Sequence, residues 1–231
     1  MKTSLSLGAF FLVSLVHILA ELFGWPSVLF YTKIFLMPLL FLALWQSMDP
    51  PEFRGPIRWA GLALFFSTWG DLFLLVEKSN HLVLGFYLGL GSFLIAQLCY
   101  NFSFMRLGAL KLPKVWMVIY SIYFVGFVYL LIPSLPAPIL VAVVVYGLAL
   151  TAMAINSWRT LAGQGWIRYQ GVAGALLFLI SDSLLAINRF KSAIPGAGFW
   201  IMLTYITAQY LIISSIVTKF KSDQLVIEST D

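Results

Sequence analysis

Two aspartates lie in segments that are otherwise apolar enough to cross a lipid bilayer. Asp71 is the only formally charged residue in 59–76, and Asp182 is the only one in 171–187. A carboxylate inside a membrane is costly, so an ionisable residue there is a candidate functional residue. Their flanking sequences are also alike, since Asp71 stands in FSTWGDLFLL and Asp182 in FLISDSLLA. The chemistry open to two intramembrane carboxyl groups is therefore the first question.

Two carboxyl groups in different surroundings can divide the work of proton transfer. Burial without a cation favours the protonated form, whereas a neighbouring ammonium group favours the carboxylate. One group of each kind at a shared depth forms an acid and a base. Lys33, inside the second apolar segment, is the cation available to one of them. The structural alternative is a single Asp–Lys33 ion pair between helices, which explains one aspartate but not two, or a lysine that only extends towards the membrane surface.

The elements that must position these residues are membrane-spanning helices. The chain has 231 residues, 61% hydrophobic and 10% charged, whereas a soluble domain is about 25% charged. A span needs about 20 apolar residues, and Gly- and Pro-rich breaks separate the apolar runs. The sequence predicts an all-α bundle of eight transmembrane helices at 3–23, 27–47, 57–77, 81–104, 113–133, 136–156, 168–188 and 196–218. We interpret 1–218 as one domain, with a retained first helix, and 219–231 as a short polar tail.

The distribution of basic residues predicts the topology. With eight spans both termini lie on one side, and that side carries ten Lys and Arg residues against three on the other. An excess of positive charge marks the cytoplasmic side. We therefore expect cytoplasmic termini and a multi-pass protein of a bacterial inner membrane or an equivalent membrane.

Helical rise places the ionisable residues at one depth. Asp71 and Asp182 follow the last cytoplasmic arginine by 13 and 14 residues, which is about 20 Å at 1.5 Å per residue. The second span starts at the opposite, outer surface, and Lys33 lies about 9 Å below that surface. His17 and Glu21, one turn apart on the first span, approach the same layer. Five ionisable residues on four helices are thus predicted in the outer third of the membrane.

Other polar side chains are candidates for supporting this layer. Tyr146 and Tyr205 place hydroxyl groups at mid-membrane, where they can line a cavity. Gln97 and Gln209 are amides in the fourth and eighth spans, where such groups commonly form hydrogen bonds between helices.

Several classes of function are disfavoured by the sequence. Two histidines and one cysteine are too few for a common zinc site, and we expect neither a metal nor a cofactor. The scattered basic residues suggest no nucleic-acid partner. Gly-x-Ser-x-Gly, a phosphate-binding glycine loop and a His-x-x-x-Asp acyltransferase pattern are all missing from the sequence. Carboxyl chemistry in the membrane is what remains.

The chain resembles the YhhN family of lysoplasmalogenases. The resemblance covers nearly the whole chain and rests on AE at 20–21, YTK at 31–33, MPL at 37–39, STWGD at 67–71, Tyr146, FLISDSLLA at 178–186, NRF at 188–190 and AQ at 208–209. It implies an integral-membrane ether hydrolase that cleaves the vinyl ether of a lysoplasmalogen to a fatty aldehyde and a glycerophospho-ethanolamine or -choline. We expect Asp71 and Asp182 to be the catalytic residues, one as acid and one as base in unresolved order, with Lys33 either holding one of them ionised or meeting the lipid phosphate. The other supporting or substrate-binding residues would be Glu21, His17, Tyr146, Tyr205, Gln209 and Asn188.

Two other functions remain open at this stage. Intramembrane carboxyl groups also serve as proton relays, so a proton-coupled transporter of a lipid or small molecule is the main alternative. A non-catalytic lipid-binding or scaffold protein is the other. The expected partner is a membrane lipid, and for the hydrolase it is a single-chain ether phospholipid. The oligomeric state is left open.

Overall fold

The computed structural model describes residues 4–49, 52–80, 83–107, 114–158 and 169–228. Within these ranges eight α helices are long and apolar enough to span a membrane, which confirms the predicted number and order of spans. They are α1 Leu5–Phe23, α2 Pro26–Gln46, α3 Pro56–Asn80, α4 Val83–Met105, α5 Lys114–Leu131, α6 Ala137–Asn156, α7 Gln170–Phe190 and α8 Ala197–Glu228. Four basic residues of the topology prediction lie outside the described residues: Lys2, Lys111, Arg159 and Arg168.

Local chemistry defines the first helical hairpin. The Ser4 side chain caps α1 by accepting a hydrogen bond from the backbone N–H of Leu7, as serine commonly does at this position. Gly24 ends α1 with a positive φ of 69°, a left-handed conformation that glycine adopts easily. Pro26 then begins α2 at once. This tight turn brings the end of α1 and the start of α2 side by side.

The bundle is assembled from closely packed neighbouring helices, and α7 with α8 is one such pair. Gly174 of α7 lies directly against α8, because a Cβ atom there would be 2.9 Å from the backbone nitrogen of Ile212 and 3.0 Å from the carbonyl oxygen of Ala208. Small residues allow helix backbones to approach closely in membranes. Gly174 therefore sets the separation of the helices that carry Asp182 and Tyr205.

Gly174→Ala is expected to lower the stability of the protein. The added methyl group meets backbone atoms that cannot move aside, and such overpacking costs about 1–3 kcal/mol. The effect is measured as the midpoint of thermal unfolding in detergent. Unfolding is detected as loss of the monodisperse peak on size exclusion. Gly126→Ala is the matched control, since a Cβ there has nothing within 4 Å. Equal midpoints for both variants would show that the α7–α8 contact tolerates the methyl group.

The last helix is longer than the sequence indicated. The sequence places the end of the eighth span at 218, whereas α8 continues to Glu228. Lys221 donates a hydrogen bond to the carbonyl oxygen of Ser47 at 2.6 Å, and Lys219 pairs with Asp223 one turn further on. Most of the predicted polar tail is therefore helical, because these contacts compensate for its polar composition.

Candidate active site

Asp71 lies at the meeting point of three helices. Its side chain, on α3, is almost fully buried, with 4% of its surface exposed. The Nζ of Lys33 on α2 is 3.5 Å from its Oδ1, and the hydroxyl of Tyr205 on α8 donates a hydrogen bond to its Oδ2 at 2.9 Å. Asp71 is thus bound on one side by a cation and on the other by a neutral donor.

Hydrogen bonds one turn away hold Asp71 and Tyr205 in place. The amide nitrogen of Gln209 donates to the hydroxyl of Ser67 at 3.1 Å, and Tyr100 of α4 donates to the carbonyl oxygen of Gln209. Ser67 precedes Asp71 by one turn, and Gln209 follows Tyr205 by one turn. Gln209 therefore ties α3, α4 and α8 together, as predicted for an interhelical amide, and orients the neighbouring Asp71–Tyr205 pair.

Asp182 has a different environment from Asp71. Tyr146 of α6 donates a hydrogen bond to its Oδ2. Asp182 and Asp71 are close enough to interact electrostatically. The ring of Tyr205 packs between two others, since its centroid is 6.0 Å from that of Phe93 and 5.5 Å from that of Phe178. The two carboxyl groups thus lie within electrostatic range of each other and have unlike partners.

Asp182 faces a large apolar cavity. The cavity has an empty volume of about 830 Å³, part of it open to the surroundings, and is lined by residues of α3 to α7. Most of the lining is aliphatic or aromatic. Its polar members in the described part of the chain are Tyr123, Tyr146, Thr151, Asp182, Ser183 and Arg189. The sequence analysis placed both aspartates together in one layer; in the structure they lie within electrostatic range of each other, and of the two only Asp182 lines this cavity.

His17 and Glu21 belong to a separate hydrogen-bonded group. Thr32 donates its hydroxyl proton to the carbonyl oxygen of Val28 at 2.6 Å, so it accepts at 2.7 Å from Nδ1 of the buried His17. Nε2 of His17 is 4.0 Å from the Glu21 carboxylate. Glu21 also faces Gly198, where a Cβ atom would collide with its oxygens. These contacts fasten α1 to α2 and α8 beside Lys33.

Asn188 stabilises the turn that follows α7. Its side-chain oxygen accepts a hydrogen bond from the backbone N–H of Ile194 at 2.9 Å. The side chain that the sequence resemblance assigned to substrate support is therefore engaged with the backbone of its own loop. Its neighbour Arg189 is the residue that reaches the cavity.

The sequence analysis did not identify Arg189, which lines the cavity, or its partner Glu77 as candidates for this site. Arg189 forms a two-pronged ion pair with Glu77, with N–O distances of 3.0 and 3.2 Å, and its guanidinium lies 4.1 Å from the centroid of the Phe86 ring. Arg189 follows Asp182 by seven residues, and two turns of helix return a side chain to nearly the same face. That spacing was the available signal; the sequence analysis used Arg189 as a topology charge and as part of the NRF motif, without a role in the site.

Gln97 is a buried amide beside this site. It lies next to the Tyr146 hydroxyl, yet neither its amide nitrogen nor its carbonyl oxygen has a hydrogen-bond partner of ordinary geometry among the described residues. Buried polar groups without partners are rare and mark places where a polar molecule binds. Gln97 thus adds two polar atoms to the surroundings of the Asp182–Tyr146 pair.

Comparison with known proteins identifies the family. The sequence pattern of the YhhN family matches residues 28–216. The chain belongs to the YhhN family. Lys33, Asp71, Tyr146, Asp182 and Tyr205 all lie within the matched region, whereas His17 and Glu21 precede it.

Relatives of this YhhN protein carry one activity name. Lysoplasmalogenase TMEM86B of Sus scrofa is 33% identical over 157 residues, 67% of this chain and 61% of that protein. Lysoplasmalogenase TMEM86A of Bos taurus is 31% identical over 164 residues, 68% of this chain and 64% of that protein. The chain thus spans less than two thirds of the length of these relatives. TMEM86B of Mus musculus is 30% identical over 199 residues, 76% and 81% respectively. No solved structure matches the chain.

Proposed function

We propose that this protein is a lysoplasmalogenase, which hydrolyses the vinyl ether of a single-chain plasmalogen. The products are a fatty aldehyde and a glycerophospho-ethanolamine or -choline. The relatives named lysoplasmalogenase support the reaction class. The structural observation that carries the proposal is the hydrogen-bonded Asp182–Tyr146 pair in the wall of an apolar cavity.

Vinyl ether hydrolysis needs an acid that can protonate carbon. The proton adds to the alkene carbon remote from oxygen, and the resulting oxocarbenium ion takes up water at the carbon beside oxygen. The hemiacetal then collapses to the aldehyde and the free glycerol hydroxyl. We assign the acid to Asp182, since it lines the cavity and its direct partner is the neutral Tyr146. Positioned general acids contribute about 10²–10⁴-fold to a rate.

Asp71 is suited to stabilise the cation that this step produces. Its partner Lys33 favours the ionised carboxylate, and it is near enough to Asp182 to interact electrostatically. Glycosidases divide acid catalysis and cation stabilisation between two carboxyl groups in a comparable way. Lys33 then holds Asp71 ionised and does not bind the lipid phosphate, a choice that the sequence had left open.

The attacking water needs polar partners in an apolar site. Gln97 offers an amide donor and acceptor beside the Tyr146 hydroxyl, and an ordered water commonly makes about three hydrogen bonds to buried polar groups. We propose that Gln97 and Tyr146 hold the water that adds to the oxocarbenium ion. The apolar remainder of the cavity accommodates the alkenyl chain.

The same proposal includes an orientation in the membrane. With both termini in the cytoplasm, as the basic residues indicate, α3 and α7 both run outward, and the Glu77–Arg189 pair lies towards the outer surface. Residues 1–218 then form one membrane domain.

Two substrates test the proposed reaction. Purified protein is incubated with a lysoplasmalogen and with its saturated alkyl-ether analogue, and aldehyde is measured by mass spectrometry. We expect aldehyde from the vinyl ether alone, because a saturated ether has no alkene carbon to protonate. Uptake of intact labelled lipid into proteoliposomes without aldehyde would favour a transporter, and binding alone would favour a lipid-binding protein.

Tyr146→Phe is expected to slow hydrolysis. The variant loses one partner for the water and the hydrogen bond to the Asp182 carboxylate that forms as the proton leaves. A hydrogen bond to a charged group is worth about 1.5–3 kcal/mol, or about 10- to 100-fold in kcat. Tyr123→Phe is the matched control, because Tyr123 lines the same cavity but bonds to Ser183. Aldehyde release under saturating substrate measures both. An equal loss of activity in the two variants would show that the Tyr146 hydroxyl has no specific role beside Asp182.

A further inference from the structure

The ion pair between Glu77 and Arg189 has the composition of a head-group site. We propose that these two residues bind a zwitterionic phospholipid head group, with the Arg189 guanidinium on the phosphate and the Glu77 carboxylate on the ammonium group. The inference rests on the proposed function for the identity of the lipid and adds the site that selects its head group.

Arg189 is the appropriate group for the phosphate. Among the described residues that line the cavity it is the only cation, and Lys33 is already paired with Asp71. A guanidinium presents a planar fork of donors that matches two phosphate oxygens. The ring of Phe86 lies 4.1 Å from it and holds the plane of the fork. Arg189 is 33% exposed and Glu77 20% exposed, so a head group can reach both.

The spacing along α7 agrees with the dimensions of the lipid. Arg189 follows Asp182 by seven residues, a rise of about 10 Å on the same helix face. In a lysoplasmalogen the phosphorus is separated from the alkene carbon that takes the proton by seven bonds, about 9 Å at the 3.8 Å that three bonds span in an extended chain. A phosphate at Arg189 therefore brings the vinyl ether beside Asp182.

Glu77 determines which head groups are accepted. An anionic lipid that binds Arg189 displaces Glu77 and leaves its carboxylate facing another negative charge, which is unfavourable at short range. A phosphoethanolamine or phosphocholine group supplies a partner to each member of the pair. The two separated charges of the head group thus replace one ion pair with two, and zwitterionic lysolipids are expected to bind more tightly than anionic ones.

Binding of lipids that the enzyme does not cleave tests this site independently of hydrolysis. Dissociation constants are measured in nanodiscs, by displacement of a fluorescent lysolipid, for saturated alkyl-ether lysolipids with phosphocholine, phosphoethanolamine or phosphoglycerol head groups and for the alkylglycerol without phosphate. Arg189→Gln is expected to weaken binding of the zwitterionic lipids about 10- to 100-fold, as for the loss of charged hydrogen bonds, and to leave alkylglycerol binding unchanged. Glu77→Gln should reduce or remove the preference for zwitterionic over anionic lipid.

A charge-swapped variant separates recognition from structure. Glu77→Arg combined with Arg189→Glu keeps an ion pair between α3 and α7, so its thermal unfolding midpoint should return to that of the wild type. The phosphate-binding cation is moved to another helix, so the affinity for zwitterionic lipid should stay low. Recovery of affinity in the swapped variant, or equal weakening of alkylglycerol and phospholipid binding by Arg189→Gln, would overturn the proposal. Failure of the wild type to release aldehyde would instead reject the proposed function while leaving the binding comparison valid.

Discussion

Asp182→Asn is expected to reduce aldehyde release by about 10²–10⁴-fold, the usual contribution of a positioned acid. Asparagine has nearly the same shape, and its side-chain oxygen can still accept the hydrogen bond from Tyr146, but an amide cannot deliver a proton to carbon. The fold should therefore persist while the chemistry is lost. Initial rates of aldehyde formation from a lysoplasmalogen, together with the thermal unfolding midpoint, measure the two effects separately.

Asp223→Asn is the matched control for this substitution. Asp223 also pairs with another residue, Lys219, but near the end of α8 and with 42% of its side chain exposed. Its loss should leave the rate of aldehyde release near that of the wild type. Retention of a tenth or more of wild-type activity by Asp182→Asn would exclude Asp182 as the acid.

Asp71→Asn is expected to impair both activity and stability. The variant removes the negative charge that stabilises the oxocarbenium ion, and it leaves the Lys33 ammonium unpaired inside the bundle. Removing one partner of a fully buried ion pair costs about 3–5 kcal/mol, and less is expected here because 20% of the Lys33 side chain is exposed. We expect a fall in activity of the same order as for Asp182→Asn and a lower unfolding midpoint.

A second substitution separates the two consequences. Lys33→Met in the Asp71→Asn background removes the stranded charge, so the unfolding midpoint should return towards that of the wild type. Activity should not return, because the carboxylate is still missing. Recovery of activity in this double variant would show that Asp71 serves only to neutralise Lys33 and has no part in the chemistry.

The helices could be predicted from the sequence because each is a long apolar run between Gly- or Pro-rich breaks. The membrane provides no water for unpaired backbone groups, so such a run has little choice but to form a helix. The same criterion missed the end of α8, because it ends a helix where the sequence becomes polar. Residues after Lys219 are too polar for a span, yet the helix continues, because Lys221 and Asp223 find partners at the surface of the bundle.

Helical rise is consistent with the contact between Lys33 and Asp71 but does not predict how each helix is rotated. A rise of 1.5 Å per residue placed Asp71, Asp182 and Lys33 in one layer, and the structure pairs Lys33 with Asp71. The sequence does not show which face each helix turns inward. It therefore could not predict that Tyr146 bonds to Asp182 and Tyr205 to Asp71.

The Glu77–Arg189 ion pair could not be predicted for a different reason. Glu77 and Arg189 come near the ends of their spans, where charged residues are common and serve the topology. Only the folded structure shows that the two side chains meet as an ion pair, and only the cavity shows that Arg189 shares a space with Asp182. Asn188, which stood out in the sequence resemblance, instead closes the turn beside them.

Transfer of a proton to the alkene carbon is the step on which the proposed chemistry depends, and the solvent deuterium isotope effect on aldehyde release measures it directly. If Asp182 protonates carbon in the slow step, kcat/KM for a lysoplasmalogen falls in deuterated water, and the aldehyde carries one deuterium on the carbon next to its carbonyl group. Equal rates in the two solvents, or aldehyde released without deuterium on that carbon, would contradict carboxyl acid catalysis at this site.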